Sequence, residues 1–199
     1  MRRLLVSLLV GFVCLGLPPD LGAVPTVPAT IEVYYSPHGG CTEAITNALQ
    51  AAKRTVLVQA YSFTSPPIEA ALAAAAKRGV KVQLILDRSN RTQKSSELTE
   101  VAEIPSLSVW IDAKHEIAHN KVMILDAEIV ITGSFNFTHN AEERNAENLL
   151  IIHSKELAAS YTANWQEHCK HSAPYKAESL TDLKKTEHAT ARKAIEALP

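Results

Sequence analysis

The sequence has almost no net charge. Lys and Arg together number 20 and Asp and Glu 21, so the formal charge at pH 7 is -1. Because there is no basic excess, no global field attracts a polyanion, and any phosphate must be held by a local group of cations. The candidates for such a group are Arg88, Arg91, Lys94, Lys114, Lys121 and Arg144.

The sequence also lacks an apolar run of the length that spans a bilayer comfortably, which is about 20 residues. Its amino-terminal apolar run, residues 4–17, follows Arg2 and Arg3 and is followed by Ala23. This order is typical of a bacterial signal peptide with a small residue at the cleavage point. We therefore predict a signal peptide at 1–23, a leader at 24–30, and a periplasmic or secreted mature protein with no stable membrane anchor. An anchor that is retained is the alternative.

Cysteine is scarce, with three in the chain. Cys14 belongs to the predicted signal peptide, so the mature chain keeps Cys41 and Cys169. In an oxidising compartment these two could form a disulfide, or each could be a small buried side chain on its own. The sequence leaves both possibilities open because it does not give the distance between them.

Apolar runs alternate with helical patterns, which predicts an α/β fold. We expect one catalytic domain at 31–175 and a polar, helix-prone tail at 176–199. The predicted strands lie at 31–35, 55–61, 80–86, 107–111, 122–125, 129–132 and 149–153. The predicted helices lie at 41–53, 66–78 and 156–168, with one more between residue 95 and the strand at 107.

The chemistry of the chain is indicated by His119 and Lys121, two residues apart at the start of a predicted strand. Side chains at this spacing emerge on the same face. A phosphodiester carries a negative charge that repels nucleophiles, so its hydrolysis needs a cation on the phosphate oxygens beside a nucleophile aimed at phosphorus. Lys121 can be the cation, and neutral His119 can be the nucleophile.

A turn and a carboxylate follow this pair. Gly133, Ser134 and Asn136 come directly after the second strand of a predicted hairpin and offer a tight turn with hydroxyl and amide donors for the same phosphate. Glu147 precedes the last strand, where it could accept a hydrogen bond from the second imidazole nitrogen of His119 and fix the tautomer of the ring.

The pattern H-x-K-x4-D-x6-G-S-x-N, formed by residues 119–136, resembles the signature of the phospholipase D superfamily. It is most similar to the small bacterial Nuc-type endonucleases. The similarity extends to Tyr35-Ser36-Pro37, Ala60-Tyr61-Ser62-Phe63-Thr64, Lys77-Arg78-Gly79-Val80 and Trp165.

This resemblance implies an α-β-α sandwich with a central mixed sheet flanked by helices. It also implies a metal-independent homodimer without a cofactor, which hydrolyses DNA or RNA. His119 becomes the nucleophile or acid and Glu147 its partner. The phosphate ligands are Lys121, Ser134 and Asn136, while Asp126 and Gly133 are structural residues of the motif.

The motif occurs once, whereas attack on phosphorus and protonation of the leaving oxygen need two groups. We therefore expect a twofold dimer in which two copies of His119 share one composite site. One copy forms a phosphohistidine and the other acts as general acid. The alternative activity is that of a phospholipase D acting on phospholipid head groups. A nonenzymatic nucleic-acid-binding module is a further alternative.

Residues 115–119 also match the H-E-x-x-H motif of zinc peptidases, with Glu142 or Glu143 as a third ligand. This alternative is disfavoured because those peptidases carry both histidines on one helix, whereas here the motif runs into a predicted strand. The remaining histidines show no ligand spacing and are expected to be surface or packing residues; they are His38, His139, His153, His168, His171 and His188. Phe63 and Phe135 could stack on bases, although aromatic residues beside strands usually fill the core.

Overall fold

The computed structural model describes residues 27–93 and 96–176. The predicted signal peptide, Lys94 and residues 177–199 of the predicted tail lie outside them. The described strands are β1 (Thr30–Ser36), β2 (Thr55–Ala60), β3 (Phe63–Thr64), β4 (Lys81–Asp87), β5 (Leu107–Asp112), β6 (Lys121–Leu125), β7 (Ile129–Gly133), β8 (Phe137–Thr138), β9 (Glu147–His153) and β10 (Ala173–Tyr175). The helices are α1 (Cys41–Ala51), α2 (Pro66–Lys77), α3 (Leu98–Glu103), α4 (His139–Glu143) and α5 (Lys155–His171).

Eight strands form one mixed sheet in the order β1-β9-β7-β6-β2-β4-β5-β10. Strands β2, β4 and β5 are parallel to one another because helices connect them, whereas the other neighbouring pairs are antiparallel. The start of β6 and the end of β7 therefore lie side by side near the middle of the sheet. This brings the two halves of the sequence motif together.

Helices cover both faces of the sheet. The apolar sides of α1 and α2 pack on one face around Ile45 and Leu72, and α5 packs on the other face through Ala158 and Trp165. The indole nitrogen of Trp165 donates a hydrogen bond of 2.9 Å to the carbonyl of Val58. The predicted α-β-α sandwich with a central mixed sheet is thus confirmed.

Cys41 and Cys169, the two cysteines among the described residues, lie on opposite sides of this sheet. Cys41 is buried in the cluster under α1, while Cys169 packs against the cluster under α5, and both are free. Burial raises the pKa of the Cys41 thiol to about 11. The disulfide left open by the sequence does not form, because the sheet separates the two thiols.

Several short elements were not predicted. The pair β3 and β8 and the helix α4 are too short to show a periodic pattern, and β10 contains Pro174. Pro174 is tolerated because β10 is an edge strand that pairs with β5 alone. Within the described ranges, none of the helices has the length and apolar character needed to cross a membrane.

Candidate active site

The loop from residue 113 to residue 120 carries His119 to the edge of the sheet. It has no regular structure, and hydrogen bonds hold it near its end. The backbone N–H of Ala118 donates to the Asp87 carboxylate at 2.8 Å, and the carbonyl of Asn120 accepts from the N–H of Tyr61 at 3.0 Å. These two contacts fix the backbone on both sides of His119 against the ends of β4 and β2.

Lys121 is the first residue of β6 and is only 8% exposed. Its Nζ donates a hydrogen bond of 2.7 Å to the carbonyl of His119 and lies 5.2 Å from the centre of the Tyr61 ring. Burial lowers the pKa of the Lys121 amine, and the negative charge of Glu147 opposes this shift. A cation in such partly dehydrated surroundings interacts more strongly with a phosphate than a cation in water does.

Tyr61 contacts both members of the pair. Its ring centre lies 4.7 Å from the centre of the His119 imidazole, with the two planes inclined at 50°. Because the ring restricts the orientation of the imidazole, Tyr61 is a positioning residue. The sequence placed Tyr61 in a segment of family resemblance but assigned it no contact. Only the pairing of β2 with β6 brings it to the site.

The turn after β7 supplies the other predicted phosphate ligands. Gly133 has a φ of 147°, and a Cβ at this position would lie 2.3 Å from the carbonyl oxygen of Asn148. Only glycine fits here, because the backbones of β7 and β9 approach so closely. The Ser134 hydroxyl accepts hydrogen bonds from the backbone N–H of Asn148 at 3.0 Å and from its side-chain amide at 3.3 Å. The buried Oδ1 of Asn136 has no hydrogen-bond partner within the described part of the chain.

Glu147, the first residue of β9, accepts a hydrogen bond of 3.1 Å from the side-chain amide of Asn145. In the part of the chain that the structure describes, no hydrogen bond joins Glu147 to His119. The predicted role of Glu147 as the partner of the imidazole therefore stays a prediction. The negative charge of Glu147 instead favours the charged form of Lys121 and so opposes the lowering of its pKa by burial.

These side chains line one open cleft of about 540 Å³. Four of them were predicted from the sequence to act on the phosphate, and Glu147 was predicted to orient His119. No role was predicted for Tyr161 of α5. The lining residues are His119, Asn120, Lys121, Val122, Thr132, Gly133, Ser134, Asn136, Glu147 and Tyr161. The cleft thus brings together the imidazole of His119, the buried amine of Lys121 and the hydrogen-bonding side chains of Ser134 and Asn136.

Comparison with known proteins identifies the family. Residues 45–169 match the family described as cardiolipin synthase, PLD-like domain. The chain belongs to the phospholipase D superfamily. A phospholipase D of Rickettsia felis is 47% identical over 135 residues, which are 68% of this chain and 67% of that protein.

Two solved structures are similar over most of the chain. Nuc from Salmonella typhimurium, a phospholipase D family member, has a TM-score of 0.71 at 36% identity and covers 75% of this chain and 99% of its own. NucT from Helicobacter pylori has a TM-score of 0.70 at 27% identity and covers 74% of this chain and 100% of its own.

Asp126, the aspartate of the superfamily motif, lies at the other end of β6. Its Oδ1 accepts from the backbone N–H groups of Arg54 at 2.7 Å and Thr55 at 2.9 Å, and its Oδ2 accepts from that of Lys53 at 2.9 Å. Burial alone would raise the pKa of this carboxyl. The three N–H groups outweigh burial, so the pKa lies below its usual value. These are the contacts of a structural carboxylate that joins the β6–β7 turn to the start of β2.

The H-E-x-x-H segment does not form a peptidase site. His115 and His119 lie in an irregular loop rather than on one helix, and their side chains point to different partners. Glu142 accepts from the backbone N–H groups of Gly40 and Thr42, while Glu143 pairs with a histidine of another loop. No third ligand therefore approaches His119 among the described residues.

Phe63 and Phe135 fill the core, as is usual for aromatic residues beside strands; both are fully buried, so neither can stack on a base. The expectation for two of the histidines was wrong. His168 and His171 were expected to be surface or packing residues without ligand spacing. Because α5 continues to residue 171, both lie on its last turn, where each side chain reaches the carboxylate of Asp112.

Proposed function

We propose that this protein is a metal-independent phosphodiesterase that hydrolyses nucleic acid, with DNA as the main substrate and RNA as a second one. The observation that carries the proposal is the convergence of His119, Lys121, Ser134 and Asn136 on one cleft. A buried ammonium, a nucleophile and uncharged hydrogen-bonding groups are what attack on a phosphodiester requires. The signal-peptide pattern leads us to propose that the enzyme acts in the periplasm or outside the cell.

In the proposed mechanism an imidazole nitrogen of His119 attacks phosphorus while Lys121 neutralises the nonbridging oxygens. The P–O bond to the leaving sugar breaks, and its oxygen takes a proton from His119 of a second protomer. The product is a phosphohistidine and a free hydroxyl end. The second imidazole, now neutral, then removes a proton from water, whose oxygen displaces the first imidazole from phosphorus.

The exposed apolar surface of the edge strand β1 supports a dimer. Ile31, Val33 and Tyr35 alternate along one face of β1 and are 53%, 48% and 66% exposed. Tyr35 lies opposite Asn148, whose amide contacts Ser134 of the cleft. An apolar stripe on an edge strand favours association, and here it borders the site that needs a second histidine.

Dimer formation can be tested by its effect on rate. We expect Val33→Lys to yield a folded monomer by ultracentrifugation and to lower turnover by at least about 100-fold, since the general acid of the second protomer is lost. The matched control is Glu32→Lys, on the same strand but the opposite face. Full activity in a monomeric Val33→Lys protein would contradict the composite site.

The surface next to the cleft supports a polyanionic substrate. Arg88 and Arg91 line a second recess of about 480 Å³ that also includes Tyr61, and Tyr61 contacts His119 and Lys121. Cations beside the site can hold phosphates that flank the one under attack. Arg88→Gln should weaken DNA cleavage and make it less dependent on salt. Lys81→Gln, at the opposite end of β4, should change neither.

Phospholipid head groups are the second candidate substrate. The relative from Rickettsia felis is named phospholipase D, and exposed Ile117 lies beside Tyr61, where an acyl chain could rest. The superfamily apparatus acts on the phosphodiester itself, so the same cleft serves either substrate class.

One assay separates these candidates. The mature protein is incubated with plasmid DNA, RNA or phosphatidylcholine vesicles in excess chelator, at a temperature where circular dichroism shows it folded. We expect DNA and RNA to be cut by the wild type and by Lys81→Gln but not by His119→Ala. Choline release without cleavage of nucleic acid would assign the protein to lipids. Inactivity of the folded wild type on all three, both in chelator and in a parallel incubation without it, would overturn the proposal.

A further inference from the structure

A second cluster of ionisable side chains lies outside the cleft. Asp112 is the last residue of β5, and His115 follows it in the loop that leads to His119. His168 and His171 occupy the last turn of α5, three residues apart and therefore on one face. None of the four lines the active-site cleft.

The four side chains converge on one point. Asp112 Oδ2 lies 2.9 Å from Nδ1 of His115, 3.2 Å from Nδ1 of His168 and 3.2 Å from Nε2 of His171. One ligand atom from each residue lies within 4.8 Å of every other. Zinc bonds of about 2.0–2.1 Å in a tetrahedron place ligand atoms about 3.3 Å apart. Two of the six edges, at 3.2 Å, are close to this length, and the third measured edge, at 2.9 Å, is somewhat shorter.

The surroundings of Asp112 orient its carboxylate for such a role. The side chain is fully buried, and its Oδ1 accepts from the backbone N–H of Lys114 at 3.0 Å, which leaves Oδ2 facing the three imidazoles. A carboxylate fixed in this way among three imidazoles is a donor set suited to zinc.

We propose that Asp112, His115, His168 and His171 bind one Zn²⁺ ion as a structural site. Four protein ligands complete a tetrahedron and leave no open position for water or substrate, which distinguishes a structural from a catalytic zinc. The two histidines of the H-E-x-x-H segment would then belong to different sites, His115 to the zinc site and His119 to the cleft. The proposed catalytic chemistry uses no metal, so the zinc site goes beyond it.

The consequence of the site is a connection between distant parts of the chain. The ion would tie the carboxy-terminal end of α5, directly before β10, to the first half of the loop that presents His119. Hydrogen bonds from Ala118 and to Asn120 already hold the second half. Zinc would therefore restrict the loop at its start and stabilise the edge of the sheet.

Binding can be measured without any assay of activity, on the mature protein carrying His119→Ala. Its metal content is determined after purification, and the metal-free protein is titrated with ZnCl2 by calorimetry. We expect one zinc per chain. At a free zinc concentration about 100 times the Kd, the melting temperature should rise by about 5–10 °C. Co²⁺ in place of zinc should give the visible absorption of a tetrahedral site.

Variants decide which residues bind the ion. His115→Ala, whose side chain is partly exposed, and His171→Ala should lose both the stoichiometric zinc and the thermal shift. His153→Ala, an exposed histidine that pairs with Glu32, should retain both. Absence of zinc binding to the folded protein, or an equal thermal shift in His115→Ala and His171→Ala, would overturn the site and would indicate a histidine–carboxylate cluster held by hydrogen bonds alone. Neither result bears on the nuclease proposal, because His119→Ala is inactive by design.

Discussion

Replacement of Lys121 by Met tests the electrostatic basis of the proposed reaction. Lys121 is 8% exposed. Among the described residues that line the cleft, it is the one Lys or Arg. At a separation of about 4 Å and an effective dielectric constant of about 20, one ammonium stabilises one phosphate charge by about 4 kcal/mol. If this stabilisation is lost in the transition state, kcat/KM falls by about 1000-fold.

Stability should respond differently from rate. Burial lowers the pKa of the Lys121 amine, which means that the folded protein bears a cost for keeping this side chain charged. Lys121→Met removes that cost while keeping an unbranched side chain that is one atom shorter, so the melting temperature of the variant should equal or exceed that of the wild type. The assay is plasmid cleavage under single-turnover conditions beside thermal unfolding, with Lys81→Met as the exposed control. A variant that retains more than a tenth of the wild-type rate would refute the role of Lys121.

Three further predictions concern the scaffold and the processing of the chain. Gly133→Ala should lower the unfolding free energy by about 1–3 kcal/mol more than Gly79→Ala in urea titrations, because both glycines have positive φ but only the first faces a carbonyl within 2.3 Å. Asp126→Asn should lower it by about 1–2 kcal/mol at pH 7. Because the folded pKa of Asp126 is depressed, this contribution is present above about pH 4 and is lost as pH falls through the folded pKa, so wild type and variant should converge in acid. Protein sequencing of the periplasmic or secreted fraction should find Val24 as the first residue, and a retained Met1 would contradict the signal peptide.

The sequence predicted the central part of the fold because its strands are buried on both faces. Runs such as 55–61 and 122–125 contain consecutive apolar residues, so they stand out from the helical segments around them. The cleft was predicted because the motif itself spans the hairpin of β6 and β7, whose pairing brings Lys121 near Gly133. At this site, residues that are close in the sequence are therefore also close in the folded protein.

What the sequence did not reveal depends on contacts between distant segments. The sequence separates Tyr61 from His119 by 58 positions, and only the pairing of β2 with β6 joins them. The cluster around Asp112 was missed for a different reason. His168 and His171 have the spacing of a helical ligand pair, but the predicted end of the helix at residue 168 left His171 outside it.

The loop from residue 113 to residue 120 links the two sites and determines how a chelator experiment must be interpreted. A metal-independent reaction could still lose rate in chelator if zinc at His115 holds the loop that carries His119. Sensitivity to chelator alone therefore does not establish a metal in the chemistry. The decisive comparison is with folded His115→Ala: if this variant has the rate of the chelated wild type and no longer responds to chelator, the metal acts through the loop. A further loss of rate on chelation of His115→Ala would require a second metal that takes part in the reaction itself.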